Sequence, residues 1–515
     1  NLATAGISAV TAGTSNFVAG VNAGNSIESG GNYNTVVGDE AGTAITTGDY
    51  NVGLGYRALL ANTTGTQNTS IGTDTLRAND TGTNNTGVGQ AALFANTTAS
   101  NNTGIGHSAL RNNTTGAFNA ALGAEALLTN TAGASNTAVG YQSLKLATTA
   151  SNNTSMGYRA LRTTTTGANN VAIGSSALYA NTTGTENVSV GANSMLANTT
   201  GSYNTAVGKN ALDANTTANS NTGVGRSSLS NNTTGTSNTA VGYYSLLANT
   251  TASYNTAFGA SALNANTTGD RNLAVGTSAL EANTTGESNT ALGSNALDSN
   301  TTASNNTAVG KSALYANTTG QANVAVGESA LYSNVTGQSN TGIGLQAGYY
   351  VTGSGNIVIG SQTSGGSYSP VFGVTTENDR VVMGTTTITN AYIKVAWTVT
   401  SDQRDKADIT DFTHGLDYIN GLRPVNYVWD ERADYTDKVS DGSKKKTVPQ
   451  LGFLAQEIEA VETSLGITNN CVVDKEDPEH LKITETKLIP VLVNAIKELS
   501  TQNAALEARL TALEA

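Results

Sequence analysis

Two side chains at the start of the last quarter of the chain have the types and spacing of a nucleophile and its base. Ser401 and Lys406 are five residues apart in the segment Ser-Asp-Gln-Arg-Asp-Lys. A lysine without its proton can accept the proton of a serine hydroxyl, and the activated oxygen then attacks a carbonyl carbon. The spacing by itself also fits an unrelated pair, so the surrounding sequence has to decide whether acyl transfer occurs here.

This candidate pair lies at a sharp change in composition. Residues 401–515 hold 34 of the 62 charged side chains, which leaves 28 for the first 400 residues. A step of this size predicts a domain boundary. The net charge of −12 argues against a nucleic-acid partner, because phosphate binding requires a basic surface. The sequence has no run of about 20 apolar residues, so no helix is expected to insert into a membrane.

The part before the boundary repeats every 17 residues. Nineteen glycines follow at this spacing from Gly38 to Gly344, with asparagine four residues before each and an apolar residue directly before each. Leucine stands four residues after the glycine from Leu59 to Leu331, with Met195 as the one substitute. A unit this short cannot bury a core alone, so the units must stack on one another.

Stacked units of this kind predict a mainly β fold, a parallel β-solenoid or β-roll over residues 34–360. Thr205 and Val207 should face one way from a short strand, and Asn204 and Ala206 the other. Identical asparagines can then form hydrogen-bonded ladders. The leucine column should fill the inside of each turn. The Ala-Leu-x-Ala-Asn stretch of the unit should form a second strand or one helical turn.

The third position of the strand is mostly small, as at Gly53 and Ala121. One leucine and one valine per turn make a thin core, so we expect this small-residue face to pack against another chain. Gly42 and Gly348 replace the leucine in the first and last units, and atypical terminal units predict the ends of the solenoid there. Residues 1–33 are then a lead-in or cap.

Several features of the repeats have both a functional and a plainer explanation. Asn-x-Thr triplets match glycosylation acceptors, but the same residues favour turns. Threonine-rich faces occur on ice-binding solenoids, but the threonine column of the strand changes to Val52 and Ala120. Tyr179, Tyr315 and Tyr332 could bind sugar or simply decorate the surface.

Residues 361–400 predict a stem that links the repeats to the last domain. The stretches 380–384 and 391–399 are strand-like, and Trp397 is expected to pack near the junction. The single cysteine, Cys471, excludes an intrachain disulfide.

No cofactor or metal site is expected, because the three histidines are scattered along the chain, at His107, His414 and His480. The chain begins at Asn1 without a methionine, which we interpret as processing or as part of a longer protein.

The last segment, 488–515, has a heptad pattern of isoleucine and leucine that predicts a coiled coil. This pattern alone allows two or three chains, and Asn503 would set the register. One heptad position holds Ile489, Ile496, Asn503 and Leu510, and the other holds Leu492, Leu499, Leu506 and Leu513.

Five short motifs, of which the first begins at Ser401, lie in order along the C-terminal part of the chain. They occupy residues 401–406, 415–419, 422–427, 452–458 and 487–492. Together they resemble the endosialidase-type intramolecular chaperone found at the C-terminus of phage tail fibres and spikes, over essentially all of 401–515. The resemblance implies a small α+β domain at 401–487 that trimerises through the coiled coil, templates the folding of the preceding chain and then cuts itself off.

By the same resemblance, the cut falls between Thr400 and Ser401. Ser401 is then the nucleophile and Lys406 its base in a single-turnover serine peptidase without activity on other chains. Asp402 and Arg404 match supporting positions of the motif.

Some relatives carry a histidine shortly before the Gly-Phe-x-Ala-Gln-Glu segment, where this chain has Gln450. His414 is an alternative for that role, although it also fits a turn residue before Gly415.

The Asn-Thr-Ala-Val-Gly unit resembles the head repeats of trimeric autotransporter adhesins, which fold as left-handed β-rolls with three chains side by side. That family's repeat is usually shorter. Residues 390–397 also resemble the lead-in of tail-fibre proteins of marine phages.

These resemblances imply a homotrimeric tail fibre of the virion, assembled in the host cytoplasm. It would attach to a glycan or protein receptor on the host cell, and to other tail proteins through a missing N-terminal region. The alternative is a secreted or surface-attached bacterial adhesin that uses the same chaperone domain.

Overall fold

The chain divides into two compact units, Asn1–Ala391 and Tyr392–Ala515. The computed structural model describes residues 7–8, 11–362, 368, 370, 373–385, 387–388, 400–430, 432, 435, 439–468, 472–475 and 481–514. Some predicted features lie outside these residues: the strand at 391–399, the tail-fibre lead-in at 390–397, Trp397, Cys471 and His480.

The first unit is a parallel β-solenoid, which confirms the predicted fold class. A short first strand pairs antiparallel with the second, and each later strand pairs parallel with the strand of the next turn. In the regular part, pairing joins residues 17 apart, such as Thr205 and Thr222. The strands β1 to β23 are Ile7–Ser8, Phe17–Ala19, Thr35–Val37, Val52–Leu54, Thr69–Ile71, Thr86–Val88, Thr103–Ile105, Ala120–Leu122, Thr137–Val139, Thr154–Met156, Val171–Ile173, Val188–Val190, Thr205–Val207, Thr222–Val224, Thr239–Val241, Thr256–Phe258, Leu273–Val275, Thr290–Leu292, Thr307–Val309, Val324–Val326, Thr341–Ile343, Ile357–Ile359 and Val381–Met383.

The inside of each regular turn is filled by asparagine, by a small residue (alanine, serine or glycine) and by leucine or methionine. Asn204, Ala206 and Leu212 are fully buried, whereas Val207 is 37% exposed. The expectation that the small-residue face packs against another chain is therefore wrong. A small residue is needed at this position because it points into the narrow interior, and the valine column lies on the outside.

Two ladders of asparagine run through the interior. Asn204 donates from Nδ2 to the Ala218 carbonyl at 2.8 Å, and its Oδ1 accepts from the Asn221 backbone nitrogen at 3.0 Å. Asn215, in the second ladder, donates to Asn198 Oδ1 at 2.8 Å. Asn215 begins an Asn-Thr-Thr triplet and is fully buried, so in this turn the triplet serves the fold. The ladders satisfy most of these buried amides, although Asn130 Oδ1, Asn255 Nδ2 and Asn334 Oδ1 have no hydrogen-bond partner among the described residues.

The corner after each strand requires glycine for two reasons. Gly208 has φ of 139°, and a Cβ at this position would lie 2.5 Å from the Gly225 carbonyl oxygen. The following Ala-Leu-x-Ala-Asn stretch forms a hydrogen-bonded turn, neither a strand nor a helical turn. Leu212 has φ of 53° there, and its nitrogen donates to the Ser228 carbonyl at 3.0 Å. A left-handed leucine costs about 1–3 kcal/mol, which its complete burial offsets.

The ladder extends beyond the predicted range of 34–360 at both ends. Strand β2 lies before residue 34 and strand β23 after residue 360, so the turns that contain Gly42 and Gly348 are not the ends of the ladder. In these two turns the residue three positions after the glycine, Ile45 or Val351, is fully buried and takes the place of the missing leucine. The strand predicted at 380–384 is present and joins the ladder as β23.

The second unit is small and mixed. Helix α1 (Leu416–Gly421), helix α2 (Ala455–Ser464) and the start of helix α3 (Leu488–Glu514) surround a core centred on Tyr418, Ile458 and Val491. Two antiparallel pairs complete the unit: β24 (Val425–Tyr427) with β25 (Gln450–Gly452), and β26 (Val473–Asp474) with β27 (Lys482–Ile483). Short 3-10 turns at Gln403–Asp405 and Glu485–Lys487 precede α1 and α3.

Candidate functional site

A single 3-10 turn places the two candidate catalytic side chains. Asp402 caps the turn by accepting the Arg404 backbone N–H at 2.9 Å, and the Lys406 nitrogen donates to the Gln403 carbonyl at 3.2 Å. These bonds fold the segment between Ser401 and Lys406 back on itself. The turn therefore brings the serine and the lysine of the motif to the same place without help from a distant element.

Lys406 Nζ lies 2.6 Å from Ser401 Oγ, in hydrogen-bond contact. This is the distance over which a proton can pass from a hydroxyl to a neutral amine. Both side chains are exposed, and Thr400, the residue before the serine, is exposed as well. The single chain thus assembles the contact but does not shield it from water.

Asp402 and Arg404 form a second pair in the same turn. Arg404 Nη2 lies 2.6 Å from Asp402 Oδ2, and Nε bonds the same carboxylate at 3.1 and 3.2 Å. The hydrogen bond from Arg404 lowers the pKa of Asp402 below its usual value. These bonds hold the turn, and the supporting role in cleavage that the motif assigns to the two residues stays a prediction.

His414 lies at the start of α1. Its Nδ1 is 2.6 Å from Asp417 Oδ2, and this hydrogen bond is the main cause that lowers the pKa of Asp417. Asp417 also accepts the backbone N–H groups of Gly415 and Tyr418, so the pair closes the first turn of the helix. This arrangement supports the turn role of His414. Gln450 stands in β25, opposite Tyr427.

A buried acid of the second unit is missing from the sequence prediction. Glu462 is fully buried in α2, where its Oε1 accepts from the Tyr418 hydroxyl at 3.0 Å and the Val472 nitrogen at 2.7 Å. These bonds join α2 to α1 and to the residue directly before β26. The sequence carries no signal that sets Glu462 apart from the less buried Glu457 and Glu459 of the same helix.

Within the described residues, no group of three or more His, Cys, Asp or Glu side chains has an arrangement that could hold a metal ion. Among the same residues, no helix is long and apolar enough to cross a membrane.

The comparison with known families agrees with the position of this turn. Residues 401–467 match the family Peptidase_S74, described as chaperone of endosialidase. The match begins at Ser401 and covers the 3-10 turn, α1, β24, β25 and α2. No curated protein and no solved structure matches the chain. Residues 401–467 therefore resemble a self-cleaving chaperone domain, which supports an intramolecular chaperone role in trimerisation.

Proposed function

We propose that the chain is the subunit of a homotrimeric phage tail fibre whose C-terminal unit directs trimerisation and then cleaves the Thr400–Ser401 bond. The observation that carries the cleavage is the 2.6 Å contact between Lys406 Nζ and Ser401 Oγ, at the first residue of the chaperone family match. The solenoid is the mature product, and the C-terminal unit is discarded after assembly.

The position of Ser401 directly after the scissile bond suggests how cleavage proceeds. Lys406 accepts the hydroxyl proton, and Ser401 Oγ attacks the carbonyl carbon of Thr400. The C–N bond breaks, the freed amine of Ser401 takes a proton, and the two residues remain joined by an ester. Water then hydrolyses the ester, which leaves a carboxylate on Thr400 and restores the serine hydroxyl. Each chain reacts once, because the reaction separates its substrate carbonyl from the unit that carries the nucleophile.

A chaperone of this type would prevent a folding error to which the solenoid is prone. Nearly identical turns can pair out of register by a whole unit with little loss of energy. Three C-terminal units that associate first would align the chains before the turns stack. After cleavage, the assembled fibre would persist because unfolding is slow.

The fibre assignment rests on the repeat array and on the resemblance of residues 401–467 to a chaperone found at the C-terminus of phage tail fibres and spikes. The regular turns of the repeat array, from β3 to β21, rise about 4.8 Å each and give an extended body on the order of 90 Å long. We propose that this body belongs to the virion, joins other tail proteins and attaches to a receptor on the host cell.

The test is the intact mass of the purified 515-residue chain beside the Ser401→Ala variant. We expect the natural chain to separate into residues 1–400 and 401–515, and the variant to remain whole. Ser500→Ala, an exposed serine on α3, is the control and should cleave normally. A natural chain that stays whole, or a Ser401→Ala variant that still cleaves at Thr400, would contradict the proposal.

A further inference from the structure

One stretch of the solenoid is basic, although the chain as a whole is acidic. Residues 81–185 hold four basic side chains and one acidic side chain, whereas the net charge of the chain is −12. Each of the five follows a corner glycine by two or five residues, so they lie along one edge of the stacked turns. They are Arg111, Glu125, Lys145, Arg159 and Arg162. An anion that approaches the solenoid is therefore attracted to this edge.

Two of these arginines converge on one neutral side chain. Arg159 Nε and Arg162 Nε donate to Gln142 Oε1 at 3.2 and 3.1 Å. Gln142 is 6% exposed, and its Nε2 donates to Glu125 Oε2 at 2.9 Å. Lys145 Nζ lies 2.6 Å from that carboxylate and neutralises it. Among the described residues, no carboxylate pairs with Arg159 or Arg162, so two positive charges lie side by side without compensation.

Another arginine at the same position of the repeat is neutralised within the chain. Arg57, like Arg159, stands two residues after a corner glycine. Its Nε donates to Glu40, one turn earlier, at 2.9 Å. Glu40 and Gln142 occupy equivalent positions, so the fold accepts a carboxylate at this place in the repeat. The amide of Gln142 instead leaves both of its arginines able to pair with an anion from outside the chain.

Tyrosines surround the arginine pair. Tyr141 and Tyr158 are 43% and 47% exposed, and their stacked rings have centroids 5.7 Å apart. The Arg159 guanidinium lies 4.9 Å from the centroid of the Tyr158 ring, and Arg162 Nη1 donates to the Tyr179 hydroxyl at 3.1 Å. These contacts hold the arginines in place, which reduces the entropy that is lost when an anion binds. We name the following set the arginine–tyrosine cluster: Tyr141, Gln142, Tyr158, Arg159, Arg162 and Tyr179.

We propose that the arginine–tyrosine cluster binds an anionic group, a carboxylate or a phosphate, of a polysaccharide on the host cell. This inference rests on the proposed function, because it gives the attachment of the fibre a site and a class of ligand. A planar guanidinium pairs with either anionic group through two parallel hydrogen bonds. The exposed rings of Tyr141 and Tyr158 offer apolar surface to sugar rings, and their hydroxyls can hydrogen-bond to sugar hydroxyls.

The cluster fits a sugar polymer better than it fits other polyanions. A membrane surface attracts runs of about four to eight flexible basic residues, whereas these two arginines are fixed by Gln142 and by tyrosines. Nucleic acid requires an extended basic surface, and the solenoid is acidic on both sides of residues 81–185. One weak site per chain would gain affinity when the three chains of a fibre engage one polymer.

The experiment measures binding of the purified full chain to immobilised polysaccharides by biolayer interferometry, at about 0.15 M salt. Polygalacturonate supplies carboxylates, phosphomannan supplies phosphates, and dextran is the uncharged control. We expect binding to at least one of the two anionic polymers, and several-fold weaker binding to dextran. The polymer that binds identifies the anionic group. Binding to neither anionic polymer would overturn the inference.

Substitution of the arginines tests whether the cluster is the site. Arg159→Gln with Arg162→Gln removes both guanidinium groups. Arg57→Gln with Arg271→Gln is the matched control, since it removes the same charge from an equivalent arginine and from an exposed one elsewhere. We expect the first variant to lose most of the binding and the control to retain it. Equal losses would mean that overall charge attracts the polymer, and would overturn the inference.

Ser176→Glu is a second variant, which keeps every residue of the cluster. Residue 176 is equivalent to Arg159 and lies one turn later. Glutamate suits this position, because Glu40 and Glu125 have φ of 58° there and Ser176 has 55°. The new carboxylate should pair with Arg159 and compete with the ligand, so we expect several-fold weaker binding. Ser312→Glu, at an equivalent position far from the cluster, should bind like the natural chain, and circular dichroism should show that both variants fold. Unchanged binding by Ser176→Glu would contradict the inference.

The outcomes separate this inference from the proposed function. Light scattering and intact mass of the same samples report trimerisation and cleavage, neither of which depends on the cluster. A homotrimer that cleaves normally and binds no anionic polymer overturns this inference alone. Binding without trimerisation or cleavage overturns the proposed function and leaves the site standing. Equal binding to vesicles of phosphatidylglycerol or to duplex DNA would overturn a polysaccharide as the ligand.

Discussion

The two units of this chain solve the problem of burying apolar surface in opposite ways. In the solenoid, every regular turn closes around its own leucine or methionine, and Leu212 is fully buried although it belongs to a repeat of only 17 residues. In the C-terminal unit, the long helix α3 buries Leu488 and Val491 but leaves Leu506 58% exposed and Leu513 84% exposed. The solenoid interior is complete within one chain, whereas much of the apolar surface of α3 has no cover.

The difference predicts which unit would gain more stability from association with other copies. From Leu499 to the end of α3, every described side chain is exposed, although leucines recur there at heptad spacing. An open apolar cavity of about 260 Å³ also lies beside the helix, lined by Ile419, Leu422, Phe453 and Leu492 among others. Isolated helices with such a face are marginal in water. We therefore expect association to stabilise the C-terminal unit more than it stabilises each solenoid turn.

The substitution with the largest expected effect removes the proposed base and leaves both units folded. Lys406→Arg keeps a long basic side chain in the turn, but a guanidinium retains its proton and cannot act as the base. We expect cleavage at Thr400 to be lost in the full chain, as measured by intact mass over time. Lys445→Arg, at an exposed site outside the turn, should cleave at the natural rate. Normal cleavage by Lys406→Arg would remove the lysine from the mechanism.

The next effect tests the dependence of the C-terminal unit on other copies. Leu499→Glu with Leu506→Glu places carboxylates on the heptad seam, where each buried leucine would contribute about 1.5–3 kcal/mol to association. We expect light scattering of the uncleaved Ser401→Ala chain to show loss of the oligomer.

Ala505→Glu serves as the control for this variant, because it adds a charge to the same helix outside the seam. Its oligomer should persist. An unchanged mass for the seam variant would show that α3 is not the element that holds the copies together.

The smallest effect tests the self-sufficiency of the solenoid. Leu212→Ala should weaken its own turn and the adjoining turns by about 2–5 kcal/mol, because the narrow interior cannot collapse around the lost side chain. Hydrogen exchange should show faster exchange near residue 212 and unchanged protection several turns away, since each turn contacts only its neighbours. Thr217→Ala, on the exposed side of the same turn, should leave exchange unchanged. Uniformly faster exchange along the unit would mean that the solenoid unfolds as one cooperative block.

Much of the candidate site could be predicted from sequence because it is local. Ser401, Asp402, Arg404 and Lys406 lie within six residues, and one capped turn brings them into two contacting pairs. Glu462 was missed because its partners, Tyr418 and Val472, come from separate elements. A buried acid on a short helix differs little in sequence from an exposed one, so only the packing reveals it.

The sequence by itself determined the solenoid, since a strict period of 17 with glycine, asparagine and leucine in fixed columns leaves stacking as the way to bury them. It did not determine which column faces inward. Small residues such as Ala206 suited either a narrow interior or a close contact between chains, and the alternation along a strand allows both. The tertiary structure decided this, because Leu212 bends back into the turn through a left-handed conformation and leaves room beside it only for alanine, serine or glycine. The valine column is then left on the outside of the turn.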